Sequence, residues 1–282
     1  MLQDRLIVIG SSYGGIAAVT SLVRQLPAHL PAAVLVVQHT SPQAHSVLPA
    51  ILSRVTSLPV AHPTQFEPIR CGRIYVAPPD RHMLITPERR FFLARGPEEN
   101  GARPAIDATL RSAALTHGAA VIAVILTGEL TDGTAGALAV KDHGGIVVVQ
   151  DPEDAAARSM PLSVACHVDI DHCCPLAAMG QLLATLAQAP SGPARIGPKD
   201  SLLQIENRIA SGLLDATLWG RLAAMSTPAA RVCPVCGQAM FELGDRRIRR
   251  VRCRAGHASA VDPFEVKTPL SPHARSEMQG TP

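Results

Sequence analysis

The chain has 282 residues, a formal net charge of +3, and a composition that is 47% apolar but only 3% aromatic. This length allows one sizeable α/β core, built mainly from alanine and valine, together with a small additional module. The small net charge excludes a strong electrostatic attraction of the whole chain to nucleic acid. No apolar run is long enough to span a membrane and no secretory signal is recognisable, so we expect a cytoplasmic protein without membrane insertion. The chain has seven cysteines, an odd number, and three of them lie close together late in the sequence with the spacing of metal ligands. Both features disfavour disulfides.

Apolar strand-like runs alternate with helical patterns through the first two thirds of the chain. The predicted elements are strand 5–10, helix 14–26, strand 33–38, helix 46–56, short strands near 73–77, 82–86 and 90–95, helix 105–117, strand 119–127, helix 134–143, strand 145–150, a helical turn after Met160, strand 167–170 and helix 175–188. Continuous apolar strands separated by helices are typical of a doubly wound, mostly parallel sheet with helices on both faces. The middle third, residues 59–100, is predicted to be a small antiparallel elaboration.

The composition changes near residue 190. Residues 1–190 form the predicted main domain, and the Pro- and Gly-rich stretch 191–200 is a predicted linker. Residues 201–225 have the apolar spacing of an amphipathic helix, which we expect to pack against a neighbour on this chain or on a partner. We predict a zinc-ribbon-like module over 230–264 and a disordered tail over 265–282.

A serine occupies the turn between the first predicted strand and the first predicted helix. Gly10-x-Ser12-x-Gly14 fits the G-x-S-x-G pattern, in which small residues allow a sharp turn that exposes a nucleophilic hydroxyl. Gly-rich turns also open dinucleotide-binding folds. However, the glycines do not follow G-x-G-x-x-G, and the second strand ends at His39 rather than at an acidic residue. Such a turn also often just tightens a βα connection, so the motif alone is about equally compatible with a nucleophile and with a purely structural turn.

Ser12, His39 and Asp132 follow the carboxyl ends of three predicted strands. In a parallel sheet these ends share one edge, where ligands bind. A serine hydroxyl needs an imidazole to take its proton, and a carboxylate fixes the imidazole tautomer, so the trio predicts a serine hydrolase. Taken individually, the structural interpretations are favoured: a lone histidine at a strand end is more often a hydrogen-bonded loop residue, and Asp132 before a helix could be only an N-cap. Six further residues in predicted loops stay candidates for the same roles, namely Asp80, His82, His45, His62, Asp107 and Asp151.

Four segments in this order resemble the CheB family of chemotaxis protein-glutamate methylesterases: Ile9–Gly15, Val37–His39, Gly72–Asp80 and Leu126–Gly136. The resemblance implies hydrolysis of γ-glutamyl methyl esters on methylated chemoreceptor-like proteins, with release of methanol and in some members deamidation of receptor glutamines. By position it implies that Ser12 is the nucleophile, His39 the base and Asp132 the carboxylate, and that catalysis requires no cofactor.

The resemblance also implies details around the nucleophile. Backbone N–H groups of Ser12 and Tyr13 are the expected oxyanion donors. Tyr13 and Glu129 replace residues that are usual in the family, and we expect them at the substrate rim, where they affect which carbonyl is accepted. Well-known members carry an amino-terminal receiver domain, whereas the first strand here begins at Arg5, so we expect a standalone catalytic domain. The alternative is a catalytically weak adaptor that docks chemosensory signalling partners through the fold and the zinc ribbon.

The late cysteines form the second specific motif. Cys233-x₂-Cys236 is followed after 16 residues by Cys253-x₃-His257. Two such pairs can close a tetrahedral zinc site, and a segment this short buries too little surface to fold without such a link. We predict a structural zinc with no open position for catalysis; four unligated residues are the alternative. The arginines of this module could contact phosphates, but aromatic rings do not alternate with them, so nucleic acid binding is disfavoured.

Overall fold

Seven parallel strands form the central sheet of the protein, seen in a computed structural model that describes residues 5–193, 195, 197, 200–244 and 247–260. The strands and hairpin are β1 (Arg5–Ser11), β2 (Ala32–Gln38), β3 (Val60–Ala61), β4 (Arg73–Val76), the hairpin β5 (His82–Ile85) and β6 (Phe91–Ala94), β7 (Val121–Ile125), β8 (Ile146–Gln150) and β9 (His172–Cys174). The spatial order of the sheet is β3-β4-β2-β1-β7-β8-β9. The predicted tail 265–282 and residues 261–264 of the predicted module lie outside the described residues.

Helices cover both faces of this sheet. One face carries α1 (Gly15–Arg24), α2 (Leu48–Leu52) and α6 (Leu176–Gln188), and the other carries α3 (Ile106–His117), α4 (Thr134–Asp142), α5 (Ser159–His167) and the hairpin. The sequence of β1 is continuously apolar because both faces of the strand are buried. Leu6 and Val8 lie in the core below α3, and Ile7 and Ile9 lie in the core on the opposite face. The predicted α/β fold with a mostly parallel sheet is confirmed.

The antiparallel elaboration predicted within 59–100 is confirmed in part. β5 and β6 form an antiparallel hairpin, whereas β4 pairs in parallel with β2, and β3 pairs in parallel with β4. A second local prediction is wrong. The strand predicted at 167–170 lies instead at His172–Cys174, since α5 continues to His167 and the Val168 N–H still donates to the Val164 carbonyl. The alternation of apolar and acidic residues at 168–171 reflects a loop that packs Val168 into the core.

The chain changes direction in the sheet at β1. It passes from β1 to β2 on one side and later enters β7 on the other side, with Gly10 of β1 paired to Ile125 of β7. Loops leaving the carboxyl ends of these strands therefore diverge and leave a crevice between them. Ser12 follows β1 directly, and Thr127 follows β7.

The carboxyl-terminal part consists of α7 (Asp200–Ala210), α8 (Ala216–Ala223) and the antiparallel strands β10 (Ser226–Val232), β11 (Ala239–Leu243), β12 (Arg250–Cys253) and β13 (Ala258–Ala260). The amphipathic segment predicted as one helix over 201–225 is thus two helices. The break contains Gly212 with φ +89°, and Asp215 begins α8 by accepting a hydrogen bond from the Leu218 N–H. Their apolar faces pack together and against Leu243 of the sheet.

Buried ion pairs connect this part to the main domain. Glu99 accepts two hydrogen bonds from Arg111 of α3 and one from Arg252 of β12, and Arg252 also contacts Glu206 of α7. All four side chains are almost completely buried. Among the described residues, no helix is both long enough and apolar enough to cross a membrane.

Candidate active site

Ser12 lies in the tight turn between β1 and α1. Its N–H donates to the Thr127 carbonyl, which anchors the turn to the end of β7. The left-handed residue of the turn is Gly14, with φ +73°, where a Cβ would lie 2.7 Å from Ala156. Gly128 is equally restricted, because a Cβ there would lie 2.9 Å from the Ser12 Cβ. The glycines of the motif therefore shape the space around the hydroxyl.

Ser12, His39 and Asp132 form a continuous hydrogen-bonded chain. The Ser12 Oγ lies 3.1 Å from His39 Nδ1, and the opposite ring nitrogen, Nε2, lies 2.7 Å from Asp132 Oδ2. His39 follows β2 and keeps 19% of its side chain exposed, whereas Asp132 is 2% exposed. Because the carboxylate can only accept, Nε2 carries the proton and Nδ1 presents its lone pair to the serine hydroxyl.

The Asp132 carboxylate is surrounded by hydrogen-bond donors. Oδ2 accepts from the Ile106 N–H at 2.7 Å, and Oδ1 accepts from the Asp107 N–H at 3.1 Å and from Asn100 Nδ2 at 2.7 Å. Two of these donors are the first N–H groups of α3, so the carboxylate lies at the positive end of that helix. Burial alone would raise the pKa of Asp132, but the bonds from His39 and the α3 N–H groups lower it below its ordinary value. Asp132 is thus held ionised.

A second carboxyl group, Asp107, lies beside Asp132. Asp107 is in the first turn of α3, and its Oδ1 accepts from the Gly133 and Gly136 N–H groups at the start of α4. The two aspartates therefore cap each other's helices. Burial and the nearby charge of Asp132 raise the pKa of Asp107 to about 7.

The crevice above Ser12 is open to solvent, and its walls come from three loops. Together with Ser12, the crevice is lined by residues 39–42, by residues 98 and 100–103, and by residues 129, 130 and 132. Glu129 lies along this crevice, and Tyr13 is 66% exposed immediately after the serine. The expectation that the Ser12 N–H is an oxyanion donor is wrong, because Thr127 already accepts its hydrogen bond.

The other histidines and aspartates considered from the sequence lie in different environments. Asp80 forms an ion pair with Arg103, which lowers its pKa, and His82 is buried between the Pro97 carbonyl and the Ala105 N–H. The remaining candidates have structural partners or lie farther along the rim: His62 contacts the Val76 carbonyl, Asp151 accepts from the Glu153 N–H, and His45 lines a neighbouring groove. None of these three contacts Ser12 or His39 within the described part of the chain.

Sequence reasoning missed Asn100 and the capping role of Asp107. Asn100 follows two glutamates in a loop, in the left-handed conformation with φ +53°. An Asn-Gly pair marks a turn, and that is the only signal the sequence offers for this position. From the sequence, Asp107 is only an alternative catalytic residue, because its capping of α4 depends on a contact between α3 and α4 that no local pattern indicates.

The four predicted metal ligands converge in the carboxyl-terminal sheet. Their ligand atoms all lie within 4.8 Å of one another, with Cys236 Sγ 3.6 Å from Cys253 Sγ. His257 Nδ1 lies 3.7 Å from Cys233 Sγ and 3.5 Å from Cys253 Sγ. In tetrahedral zinc sites with Zn–S near 2.3 Å, neighbouring sulfurs are about 3.8 Å apart. A possible metal-binding cluster is therefore present.

The arginines near this cluster are occupied by protein contacts. Arg250 and Arg252 are buried against acidic side chains, and Arg247 and Arg249 pair with Asp142 and Glu242. Arg254 stacks over the Trp219 ring. Arg246 lies outside the described residues. All five arginines of this set that the structure describes therefore have partners within the protein.

A hydroxyl, an imidazole and a carboxylate in hydrogen-bond contact, at the switch point of a doubly wound sheet, define an α/β protein with the layout of a serine hydrolase. Comparisons with known proteins specify the family. The CheB methylesterase profile matches residues 7–183. The chain therefore belongs to the CheB methylesterase family and is an enzyme of the protein-glutamate methylesterase class.

Individual relatives agree. A protein of Leptospira interrogans is 34% identical over 182 residues, which cover 64% of this chain and 94% of its own. The Thermotoga maritima protein named protein-glutamate methylesterase/protein-glutamine glutaminase is 37% identical over 58% of this chain, but this match covers only 48% of that protein. The crystal structure of the Thermotoga maritima CheB methylesterase catalytic domain superimposes with a TM-score of 0.63 at 35% identity, over 65% of this chain and 98% of that domain.

Proposed function

We propose that this protein is a serine esterase that hydrolyses γ-glutamyl methyl esters on chemoreceptor-like proteins, using Ser12, His39 and Asp132. The observation that carries the proposal is the hydrogen-bonded chain from Ser12 Oγ through both His39 nitrogens to Asp132. The open crevice above Ser12 is compatible with an ester on the side chain of a protein, because such a substrate cannot enter a closed pocket.

In this proposal the hydroxyl of Ser12 attacks the ester carbonyl while His39 Nδ1 takes its proton. His39 then gives that proton to the leaving methoxide, and methanol departs from a glutamyl ester of Ser12. Water attacks this ester with Nδ1 again acting as the base, which releases the glutamate and restores the serine. Asp132 keeps the proton on Nε2 and stabilises the imidazolium, and these steps use only side chains and water.

The oxyanion that forms in each step needs hydrogen-bond donors. Within the described part of the chain, no group accepts a hydrogen bond from the Tyr13 N–H, which lies just before the start of α1. We assign this N–H to the oxyanion, because the helix dipole also favours negative charge there.

The rim suits a protein substrate. Leu130, which is 62% exposed, lines the crevice, and Tyr13, which is 66% exposed, directly follows Ser12 in the chain. Ile16 and Val47 line a neighbouring groove that also includes His39. Exposed apolar side chains around a site are typical of surfaces that bind another protein. Glutamine deamidation is a second reaction of the same site, with ammonia instead of methanol leaving, and the names of the relatives include both activities.

The test is release of methanol from a chemoreceptor carrying methyl-labelled glutamates. We expect wild-type protein to release the label and Ser12→Ala to lose this activity by several orders of magnitude. Ser53→Ala, an exposed serine at the end of α2 that lies outside the crevice, is the matched control and should retain activity. Equal rates for wild type and Ser12→Ala would eliminate the enzymatic proposal and favour the adaptor alternative.

We also propose that the Cys/His cluster binds one structural zinc ion. Three sulfurs and one imidazole nitrogen fill a tetrahedral set, and the surrounding apolar cluster is small. The spacing of the ligand atoms supports this assignment. Metal analysis of purified protein should give close to one zinc per chain, and a value well below one would reject it.

A further inference from the structure

The carboxyl-terminal sheet contacts the loop that supplies Asn100. The Asn100 N–H donates to the Ala258 carbonyl at 2.7 Å, and the Ala258 N–H donates to the Glu98 carbonyl at 3.2 Å. Strand β13 is thus paired in parallel with residues 98–100. This pairing joins a strand of the metal-binding module to a loop that lines the catalytic crevice.

The side chain of Asn100 continues the connection. Its Oδ1 accepts from the Ala260 N–H at 2.9 Å, while its Nδ2 donates to Asp132 at 2.7 Å and to Asp107 at 2.8 Å. The Ala260 N–H therefore fixes which way the amide faces. In the flipped orientation, the amide oxygen would point at the Asp132 carboxylate and its NH₂ at the Ala260 N–H donor.

The position of β13 depends in turn on the Cys/His cluster. Cys253 is the last residue of β12, and His257 directly precedes β13, so two of the four ligands bracket the turn between these strands. Ala258, which pairs with the catalytic loop, is the residue next to His257. Arg252 anchors β12 and donates to the Gly256 carbonyl in the turn, but few apolar side chains surround the cluster, so a metal would add two fixed points on either side of the turn, at Cys253 and His257.

We propose that metal bound by Cys233, Cys236, Cys253 and His257 positions the catalytic carboxylate through β13 and Asn100. The inference rests on the proposed function and adds a regulatory input: the enzyme depends on a metal that never contacts the substrate. Asn100 acts as a positioning residue, because it orients Asp132 and does not contact the reacting atoms. Loss of the metal would lower turnover.

The first experiment compares zinc-loaded and chelator-treated wild-type protein. We expect zinc removal to lower kcat about tenfold or more, with KM changing less than about twofold, since the lost hydrogen bond stabilises a charged group and not the substrate. Readdition of zinc should restore kcat. Unchanged kcat in protein shown to have lost its zinc would overturn the proposal, and so would protein that neither contains nor binds zinc.

The second experiment tests the hydrogen-bond connection through Ala260 and Asn100 separately from the metal. Ala260→Pro removes the N–H that orients Asn100 without changing a ligand, and Asn100→Ala removes the amide itself. Both should lower kcat about tenfold or more while zinc content stays unchanged. Asn207→Ala on α7 is the matched control and should leave kcat unchanged. A change confined to KM in the Asn100 and Ala260 variants would contradict a positioning role.

A readout that does not require turnover distinguishes failure of this inference from failure of the proposed function. In zinc-loaded protein, the side-chain NH₂ of Asn100 and the Ala260 amide should exchange slowly with solvent in NMR. On zinc removal both should exchange rapidly, while amides of β1 and β7 stay protected and show that the main domain remains folded. Retained protection of Asn100 would overturn the inference. Wild-type protein that is inactive but shows the expected exchange pattern would instead refute only the proposed esterase activity.

Discussion

Asp132→Asn is the substitution whose consequence the site determines most completely. Every partner of this carboxylate is a donor: His39 Nε2 and the Ile106 N–H at Oδ2, and Asn100 with two backbone N–H groups at Oδ1. An introduced amide must place its NH₂ against one of these sets. An NH₂ at the Oδ1 position would face three donors. The NH₂ should therefore take the Oδ2 position, and the amide oxygen the Oδ1 position.

In that orientation the amide NH₂ donates to His39 Nε2, which must then accept. The ring proton moves to Nδ1, the nitrogen that should receive the Ser12 proton, so the base is in the wrong tautomer. We expect turnover to fall about 10⁴-fold, the magnitude typical of this tautomer error. The opposed Ile106 N–H and the lost charged hydrogen bond should destabilise the fold by about 1–3 kcal/mol.

The assay is methanol release by Asp132→Asn, together with urea unfolding of the same preparation. Asp169→Asn, an exposed aspartate remote from the crevice, is the matched control and should match wild type in both measurements. A fall in turnover of less than tenfold in folded Asp132→Asn protein would refute the assigned tautomer and the role of this carboxylate.

Two further predictions concern stability. Because the pKa of Asp107 is raised to about 7, the folded protein retains a proton there that the unfolded chain releases near pH 4. The free energy of unfolding should therefore decrease by a few kcal/mol at most as pH rises from about 4 to about 7. Asp107→Asn should abolish this pH dependence. Identical pH slopes in urea titrations of wild type and variant would contradict the prediction. Glu99→Gln leaves the buried Arg111 and Arg252 without their shared counter-ion and should cost about 3–5 kcal/mol. Glu98→Gln, one residue away, is the control, and equal unfolding midpoints of the two variants would disprove the importance of the ion pairs.

The sequence was sufficient for the parts of the molecule that follow from local pattern. Continuous apolar strands predicted a doubly wound sheet, and the shared edge of parallel strands predicted that Ser12, His39 and Asp132 would lie close together. The structure has these three side chains in hydrogen-bond contact, while their catalytic roles stay predictions. The Cys/His spacing similarly predicted four side chains that converge.

What the sequence could not provide depends on contacts between distant segments. Asn100 and Ala260 are 160 residues apart, and nothing local to either residue indicates that they pair. The reciprocal capping by Asp107 and Asp132 requires α3 and α4 to be adjacent, which only the fold determines. Strand β9, His172–Cys174, is too short and polar to be recognised without β8 beside it.

The most direct test of the central claim is to observe the covalent intermediate on Ser12. Wild-type protein mixed with a methylated receptor peptide and quenched in acid within milliseconds should yield a Ser12-containing fragment heavier by the mass of the glutamyl peptide, detected by mass spectrometry. Ser12→Ala should yield no such fragment. Release of methanol at the full rate with the added mass on another residue, or with no adduct under any quench condition, would contradict nucleophilic catalysis by this serine.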